Sequence, residues 1–153
     1  GRMYIEYFRM RETAQAPRRA NPSDAGMDLA FAPDSGEPAI IRPGESMICS
    51  TGLKFGVPHG YMLQIMNRSS IAAMRSLIVG AHVVDAGYDG EVFINLHNVG
   101  QDVQVIQPGD RIAQAVLIPV VPVNPVEYEW DDLYSRVRVH SSRGDGALGS
   151  TDV

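Results

Sequence analysis

The architecture of this chain is clearest in the stretch Ala39-Ile-Ile-Arg-Pro-Gly-Glu-Ser-Met-Ile-Cys-Ser-Thr-Gly-Leu-Lys-Phe-Gly-Val-Pro-His-Gly-Tyr-Met-Leu-Gln-Ile-Met66. Three apolar runs alternate with turn signals, and the runs cover residues 39–42, 46–55 and 61–66. The turn signals are Arg42-Pro-Gly-Glu45 and Pro58-His-Gly60, whose proline and glycine favour tight turns. Apolar runs this short, bounded by turn residues, predict consecutive β-strands.

The same pattern continues on both sides of this stretch. Further apolar runs predict strands at residues 3–10, 27–32, 77–79, 83–84, 91–98, 101–106 and 111–119. Only residues 70–75 have a helical pattern, with Ser69 or Ser70 as the candidate N-cap. We therefore predict an all-β fold, either a barrel or a jelly-roll-like sandwich, with one short helix.

The last part of the chain departs from this pattern. Residues 120–126 form a proline-broken extended segment, which we expect to leave the core and run over a surface. The final residues have no apolar periodicity that could anchor them. We predict a β domain over residues 3–134 and a flexible C-terminal arm over residues 135–153.

Composition limits the class of protein. The chain has 153 residues, enough for one domain, and its net charge of −5 argues against a nucleic-acid polymer or an acidic membrane as partner. Its single cysteine, Cys49, cannot form an internal disulfide and lies in an apolar run, which favours core packing in a reducing compartment. No apolar window approaches the length of a membrane span. We expect a cytoplasmic protein, in the host cytoplasm if it is viral.

Two polar segments could bind an anion or a metal-bound water. Asp28 lies among apolar neighbours in Ala25-Gly-Met-Asp-Leu-Ala-Phe31, where a buried carboxylate needs an arginine or a metal-bound water as partner. An aspartate in a turn or cap is the alternative. Asn67-Arg-Ser-Ser70 brings an arginine and two hydroxyls to the start of the short helix, which favours an anion site. Helix capping would also account for these serines.

Two later segments carry further candidates. Gly80-Ala-His-Val-Val-Asp-Ala-Gly-Tyr-Asp-Gly-Glu91 predicts a β-hairpin that presents Asp85 beside Tyr88, and its main chain could read the edge of a flat heterocycle. An ordinary hairpin with a turn aspartate is the alternative. In Pro108-Gly-Asp-Arg-Ile-Ala-Gln-Ala115, strand alternation puts Gln114 on the face of Ile112, pointing inward or into a cleft.

The chain ends in Arg143-Gly-Asp-Gly-Ala-Leu-Gly-Ser-Thr-Asp-Val153. Its glycines expose backbone N–H groups beside an arginine, an arrangement that suits a polyphosphate. A frayed terminus is the alternative reading of these residues alone.

In this order, the five segments resemble the five motifs of the homotrimeric dUTPases, which hydrolyse dUTP. The resemblance runs from about Pro22 to Thr151 and rests on Ala25-Gly-Met-Asp-Leu, Arg68-Ser-Ser-Ile-Ala, Val83-Val-Asp-Ala-Gly-Tyr-Asp-Gly-Glu91, Pro108-Gly-Asp-Arg-Ile-Ala-Gln114 and Arg143-Gly-Asp-Gly-Ala-Leu-Gly-Ser-Thr151. It implies a β-clip or distorted jelly-roll, assembled as a homotrimer with active sites at subunit contacts. A neighbouring subunit's arm would close each site.

The resemblance also implies a mechanism. Asp85 would activate a water to attack the α-phosphorus of dUTP, which releases dUMP and pyrophosphate, limits uracil incorporation into DNA and supplies dUMP for dTMP synthesis. Mg²⁺ would be held by substrate phosphates and waters, with no direct protein ligand and Asp28 assisting indirectly. Phosphate oxygens would contact Arg68, Ser69, Ser70, Gln114, Arg143, Gly149, Ser150 and Thr151. The nucleoside would contact Gly80, His82, Val83, Val84, Asp85, Tyr88 and Leu148, and Tyr88 would pack on the deoxyribose and leave little room for a 2′-hydroxyl.

Three departures from the family pattern concern the binding segments. Leu148 replaces a phenylalanine that stacks on uracil, and His82 replaces a glycine. Asn67 and Ser70 replace the proline and glycine that usually flank Arg-Ser.

Two alternatives keep the same fold. A dCTP deaminase needs a glutamate where this chain has Asn95 and an arginine where it has Ala73, and an amide cannot act as a general base. A non-catalytic nucleotide sensor would have no need of Asp85, Gln114, Arg68 and the arm together.

Overall fold

The computed structural model describes residues 3–136. Over these residues the chain forms eleven β-strands, one α-helix and one 3-10 helix, which confirms the all-β prediction. The strands are β1 Glu6–Arg9, β2 Met27–Ala30, β3 Ala39–Ile41, β4 Ser46–Ser50, β5 Leu53–Gly56, β6 Tyr61–Met66, β7 Leu77–Val79, β8 Val83–Asp85, β9 Phe93–Asn98, β10 Gln104–Ile106 and β11 Arg111–Pro119. The helix α1 is Ser69–Arg75, and the 3-10 helix is Trp130–Asp132.

The strands form four antiparallel sheets. The largest has the order β2-β11-β6-β8, and a second has the order β4-β9-β7. Strand β1 pairs with β5, and β10 pairs with β3. Neighbours within a sheet are distant in sequence, so segments far apart along the chain meet side by side.

One hydrophobic core lies between these sheets. Strand β9 alternates strictly, with buried Ile94, Leu96 and Asn98 and with Phe93, Asn95 and His97 on the other face. The largest fully buried apolar side chains are Leu29, Ile41, Leu53, Leu63, Leu77, Ile94, Leu96, Ile106 and Ile112. Burying each of these stabilises the fold by about 1.5–3 kcal/mol, before the loss of conformational entropy is counted.

The apolar run 46–55 forms two strands instead of the one predicted. Gly52 lies between the two strands with a φ of +69°, a left-handed conformation that turns the backbone away from the direction of β4. Next to it, the buried hydroxyl of Thr51 donates to Val92 O at 2.6 Å and accepts the Leu53 N–H at 3.2 Å. Because the run is apolar on both sides of Gly52, its pattern does not predict this break.

The helix also begins differently from the prediction. Arg68 is its N-cap, with extended backbone, so Ser69 and Ser70 lie inside the first turn. Among the side chains that the structure describes, none caps the helix by a hydrogen bond. Both serines are exposed. The expectation that one of them caps α1 is therefore wrong.

Contacts divide the chain into two units, with the boundary between Val121 and Pro122. The second unit contains the 3-10 helix, in which Leu133 N–H donates to Glu129 O at 3.1 Å. The predicted division at residue 134 into a β domain and an arm stays a prediction. No helix within residues 3–136 is both long and apolar enough to cross a bilayer.

Cys49 lies fully buried in the first unit, in agreement with its predicted core role. Burial raises the pKa of its thiol from 9.0 to about 12. Between these values the unfolded chain loses the thiol proton while the folded chain keeps it. As the pH rises between these two values, the Cys49 thiol alone should therefore lower the free energy of unfolding by about 1.4 kcal/mol per pH unit.

This pH dependence can be isolated with Cys49→Ala. Other groups titrate equally in both proteins, so we expect urea unfolding between pH 9 and 11 to give a steeper loss of stability in the parent than in the variant. Equal slopes would contradict the raised pKa. Differences at pH 7 reflect the smaller side chain and are not part of the comparison.

Candidate active site

Three of the candidate segments meet in the four-stranded sheet. Gln114 on β11 pairs with Asp28 on β2 and, on its other side, with Met66 at the end of β6. Arg68 lies two residues beyond this end of β6. Asp28, Arg68, Ser69, Ser70 and Gln114 are therefore grouped in one region, called here the arginine cluster.

An ion pair organises the arginine cluster. Arg68 Nε lies 3.2 Å from Asp28 Oδ1, and both side chains are partly buried, at 28% and 17% exposure. Arg68 Nη1 also donates to Arg111 O at 2.8 Å. The carboxylate thus has an arginine partner, one of the two kinds expected. Because the guanidinium is held by two groups, Arg68 has a defined position before any ligand arrives.

Gln114 is oriented by the backbone. Its Nε2 donates to Asn67 O at 2.9 Å. The pairing of β11 with β2 is irregular between Arg111 and Ala113, and Ile112 and Ala113 are both buried. Strict alternation fails at this bulge, so the partly buried Gln114 lies on the face opposite Ala113 and not on a face shared with Ile112.

The segment 80–91 does not fold back as the predicted hairpin. Strand β8 pairs with β6 in the four-stranded sheet, whereas β9 pairs with β4 and β7 in another. The segment therefore crosses from one sheet to the other. Strand β8 thus pairs with a strand that precedes it by one helix and one strand, a partner that local sequence does not reveal.

This crossing forms a pocket of about 210 Å³, called here the Asp85 pocket. It is lined by Ile65, Ala81, Val83, Val84, Asp85, Tyr88, Glu91, Val92 and Phe93. Asp85 is exposed at the end of β8, so its carboxylate is open to solvent and to a ligand. The walls are mostly apolar, as suits a flat organic group.

Tyr88 has a fixed orientation in this pocket. Its hydroxyl donates to Glu91 O at 2.7 Å. The ring lies so close to Gly90 that an added Cβ there would be 2.5 Å from Tyr88 Oη. A glycine at position 90 is therefore required for this ring position.

Two other predicted residues lie outside the pocket lining. Gly80 N–H donates to Asn95 O at 2.8 Å, and Asn95 Oδ1 lies 2.7 Å from His97 Nε2. His82 is exposed and lines a smaller neighbouring cavity of about 180 Å³ with Asn67 and Val79. The predicted residues Arg143, Leu148, Gly149, Ser150 and Thr151 lie outside the described part of the chain.

Sequence reasoning missed an ion pair that anchors the Asp85 pocket. Arg11 approaches Glu91 with both Nη atoms, at 3.3 and 3.1 Å, and the two side chains are only 19% and 10% exposed. Glu91 Oε2 also accepts the Gly52 N–H at 3.1 Å. The partners are 80 residues apart in the sequence, so no local pattern signals their contact.

The arginine cluster and Asp85 lie at opposite ends of β6. Met66 pairs with Gln114, and Met62 pairs with Asp85. Four residues of strand span roughly 13 Å. Within one chain, the group of anion-binding candidates and the candidate base are therefore well separated.

Comparison with known proteins gives a consistent picture. The family model named dUTPase matches residues 12–151. The chain is 38% identical over 137 residues to the deoxyuridine 5'-triphosphate nucleotidohydrolase of Anaplasma marginale, with 88% of this chain and 87% of that protein covered. It is 40% identical over 150 residues to the Arabidopsis thaliana protein of the same name, with coverage of 98% and 84%.

Solved structures agree on the fold. A point mutant of the Staphylococcus bacteriophage 80alpha dUTPase with dUpNHpp superposes with a TM-score of 0.83 at 22% identity, covering 98% of this chain and 99% of that one. A point mutant of the dUTPase from phage phi11 of S. aureus, described with a coordinated structural Mg(II) ion, gives a TM-score of 0.76 at 22% identity, with coverage of 85% and 99%.

Proposed function

Because this chain belongs to the dUTPase family, we propose that it hydrolyses dUTP to dUMP and pyrophosphate. The observation that carries the proposal is the exposed carboxylate of Asp85 at a pocket walled by Tyr88 and apolar side chains. A general base beside a pocket that fits a flat ring is a suitable arrangement for activating a water that attacks a nucleotide. This activity would limit uracil incorporation into DNA and supply dUMP for dTMP synthesis.

Asp85 is the proposed general base. Its carboxylate takes a proton from a water whose oxygen bonds to the α-phosphorus, while the bond from that phosphorus to the α–β bridging oxygen breaks. Pyrophosphate leaves with the bridging oxygen, and the proton passes from Asp85 to solvent. The exposure of Asp85 supports this role because water reaches the carboxylate freely.

The arginine cluster is the proposed phosphate-binding region. Arg68 would exchange part of its contact with Asp28 for phosphate oxygens, and the exposed hydroxyls of Ser69 and Ser70 and the amide of Gln114 would add hydrogen bonds. From the C-terminal arm, the proposed contacts to the terminal phosphates are Arg143, Gly149, Ser150 and Thr151.

The Asp85 pocket is the proposed nucleoside-binding region. The main chain of Val83 and Val84, with Gly80 and His82 nearby, would read the uracil edge, and Leu148 of the arm would cover the ring. Tyr88 would pack on the deoxyribose. Because its hydroxyl donates to Glu91 O, moving the ring aside for a 2′-hydroxyl would break this hydrogen bond.

Mg²⁺ fits the chemistry of the arginine cluster as an indirectly held ion. The Asp28 carboxylate is 17% exposed and can accept a hydrogen bond from a metal-bound water, while substrate phosphates supply the hard oxygen ligands that Mg²⁺ prefers. When bound, the ion would neutralise phosphate charge. Asp28 would then orient both Arg68 and the hydrated ion.

We further propose that the working protein is a homotrimer in the cytoplasm. A base acts on water within hydrogen-bond reach of the phosphate, whereas Asp85 and Gln114 are attached near opposite ends of β6. Sites at subunit contacts would bring the Asp85 pocket of one chain to the arginine cluster of another. The arm would close each site from a neighbouring subunit.

The activity is tested by incubating the protein with Mg²⁺ and dUTP, dCTP, dTTP or UTP, and measuring pyrophosphate and ammonia. We expect pyrophosphate from dUTP alone. Ammonia from dCTP, or nucleotide binding without turnover, would overturn the proposal in favour of a deaminase or a sensor. Pyrophosphate from dTTP as well would mean that selection against a methyl group at C5 is relaxed.

A further inference from the structure

Asn67 connects the two largest sheets beside the arginine cluster. It is the first residue after β6, and its Oδ1 accepts the Val79 N–H at 2.8 Å. Strand β7 is at the edge of its sheet, so its outward-facing N–H groups have no neighbouring strand to accept their hydrogen bonds. The Asn67 side chain thus supplies the acceptor that a further strand would have supplied.

The backbone of Asn67 makes a second connection. Its carbonyl oxygen accepts the hydrogen bond from Gln114 Nε2. Its own peptide continues into Arg68, the N-cap of α1. Residue 67 is therefore joined to two proposed phosphate ligands, one through a hydrogen bond and one through the chain.

Apolar packing contributes only part of what holds α1 in place. None of its seven residues is fully buried, and Ile71 is only partly buried against the hydrophobic core, so apolar contacts alone fix its position weakly. At its far end Arg75 donates to Gln104 Oε1 at 2.9 Å and to Val105 O at 2.6 Å. Near its start, the Arg68 side chain is held by Asp28 and Arg111 O, and the hydrogen bond between the Val79 N–H and Asn67 Oδ1 fixes the preceding residue to β7.

The other partner in this bond is fixed independently. Strand β7 pairs with β9 along its whole length, and the Gly80 N–H donates to Asn95 O. Removing the Asn67 side chain would therefore loosen residues 67–70, whose remaining ties are those of Arg68 and of the Asn67 carbonyl, more than the segment that enters the Asp85 pocket.

We infer that Asn67 is a positioning residue, which holds Arg68 and Gln114 in place for the phosphates of the substrate. The inference rests on the proposed function. Its consequence is selective: ligands that use the arginine cluster depend on Asn67, and ligands that use the Asp85 pocket do not.

The test compares the parent with Asn67→Ala in the full-length protein. The dUTP analogue dUpNHpp has the whole phosphate chain, whereas dUMP has the nucleoside and one phosphate. We expect the inhibition constant of dUpNHpp to rise roughly tenfold, kcat/KM for dUTP to fall by a similar factor, and the inhibition constant of dUMP to change less than about twofold. Equal changes for both inhibitors, or no change for either, would overturn the inference.

Two controls separate this role from a general loss of stability. Ser35→Ala removes a hydrogen bond of the same type, from the Glu37 N–H to Ser35 Oγ at 3.1 Å, and should leave both inhibition constants unchanged. Hydrogen exchange of peptides covering residues 77–80 should quicken in Asn67→Ala and be restored in Asn67→Asp, which keeps an oxygen acceptor. Exchange that does not respond would also overturn the inference. Absence of dUTP turnover in the parent would instead contradict the proposed function.

Discussion

Asp85→Asn should lower kcat for dUTP by roughly 10²- to 10⁴-fold, the usual contribution of a general base. The amide has nearly the same shape but cannot take a proton from water. Because Asp85 is exposed and its backbone oxygen still accepts the Tyr88 N–H, the fold and the pocket should be preserved. Titration with dUpNHpp should give a dissociation constant within a few-fold of the parent's.

Asp89→Asn is the matched control for this substitution. It removes a carboxylate that is also exposed, four residues further along the same segment, and should leave kcat close to the parent's. If Asp85→Asn retained near-normal turnover, or if Asp89→Asn lost as much, Asp85 would not be the base.

Removing residues 143–153 should lower kcat/KM for dUTP by roughly 10²- to 10³-fold and leave the melting temperature within about 2 °C. The deleted residues include Arg143, Ser150 and Thr151, whose charged and neutral hydrogen bonds to phosphate would contribute about 1–3 kcal/mol each. In the described part of the chain, the buried hydrophobic residues extend no further than Ala115. We therefore expect the core of the described residues to survive the deletion.

Deleting only Asp152 and Val153 controls for shortening the chain, and this variant should keep nearly full activity. Differential scanning calorimetry and steady-state kinetics on the three proteins provide the comparison. A fall in melting temperature as large as the loss of activity would mean that the segment supports the fold rather than the site.

The sequence predicted the limits of a strand well where turn residues lie at its ends. Strands β6, β7 and β11 have the predicted limits, since Gly60, Gly80 and Asp110 stand just outside their ends. The break at Gly52 and the bulge at Ile112 were missed, because both lie inside continuous apolar runs. Periodicity reports whether a residue is apolar, but not where the backbone changes direction.

The candidate site was predictable in its residue types and much less so in its contacts. Asp28 was expected to need a cationic partner, but Arg68 becomes that partner only because β11 places β2 beside the end of β6. The Arg11–Glu91 pair and the bond from Asn67 to Val79 likewise depend on strand order, which local sequence does not encode. The family resemblance supplied roles for Asp85 and Gln114, and it offered none for Asn67.

Before a substrate binds, the carboxylate of Asp28 balances the positive charge of Arg68 in the arginine cluster. An isolated guanidinium would attract chloride or orthophosphate from the surrounding solution. Here such an ion must first compete with an attached carboxylate 3.2 Å away, and a small monoanion has little to gain. We expect the resting protein to tolerate ordinary salts well, with only a polyanion carrying enough charge to separate the pair.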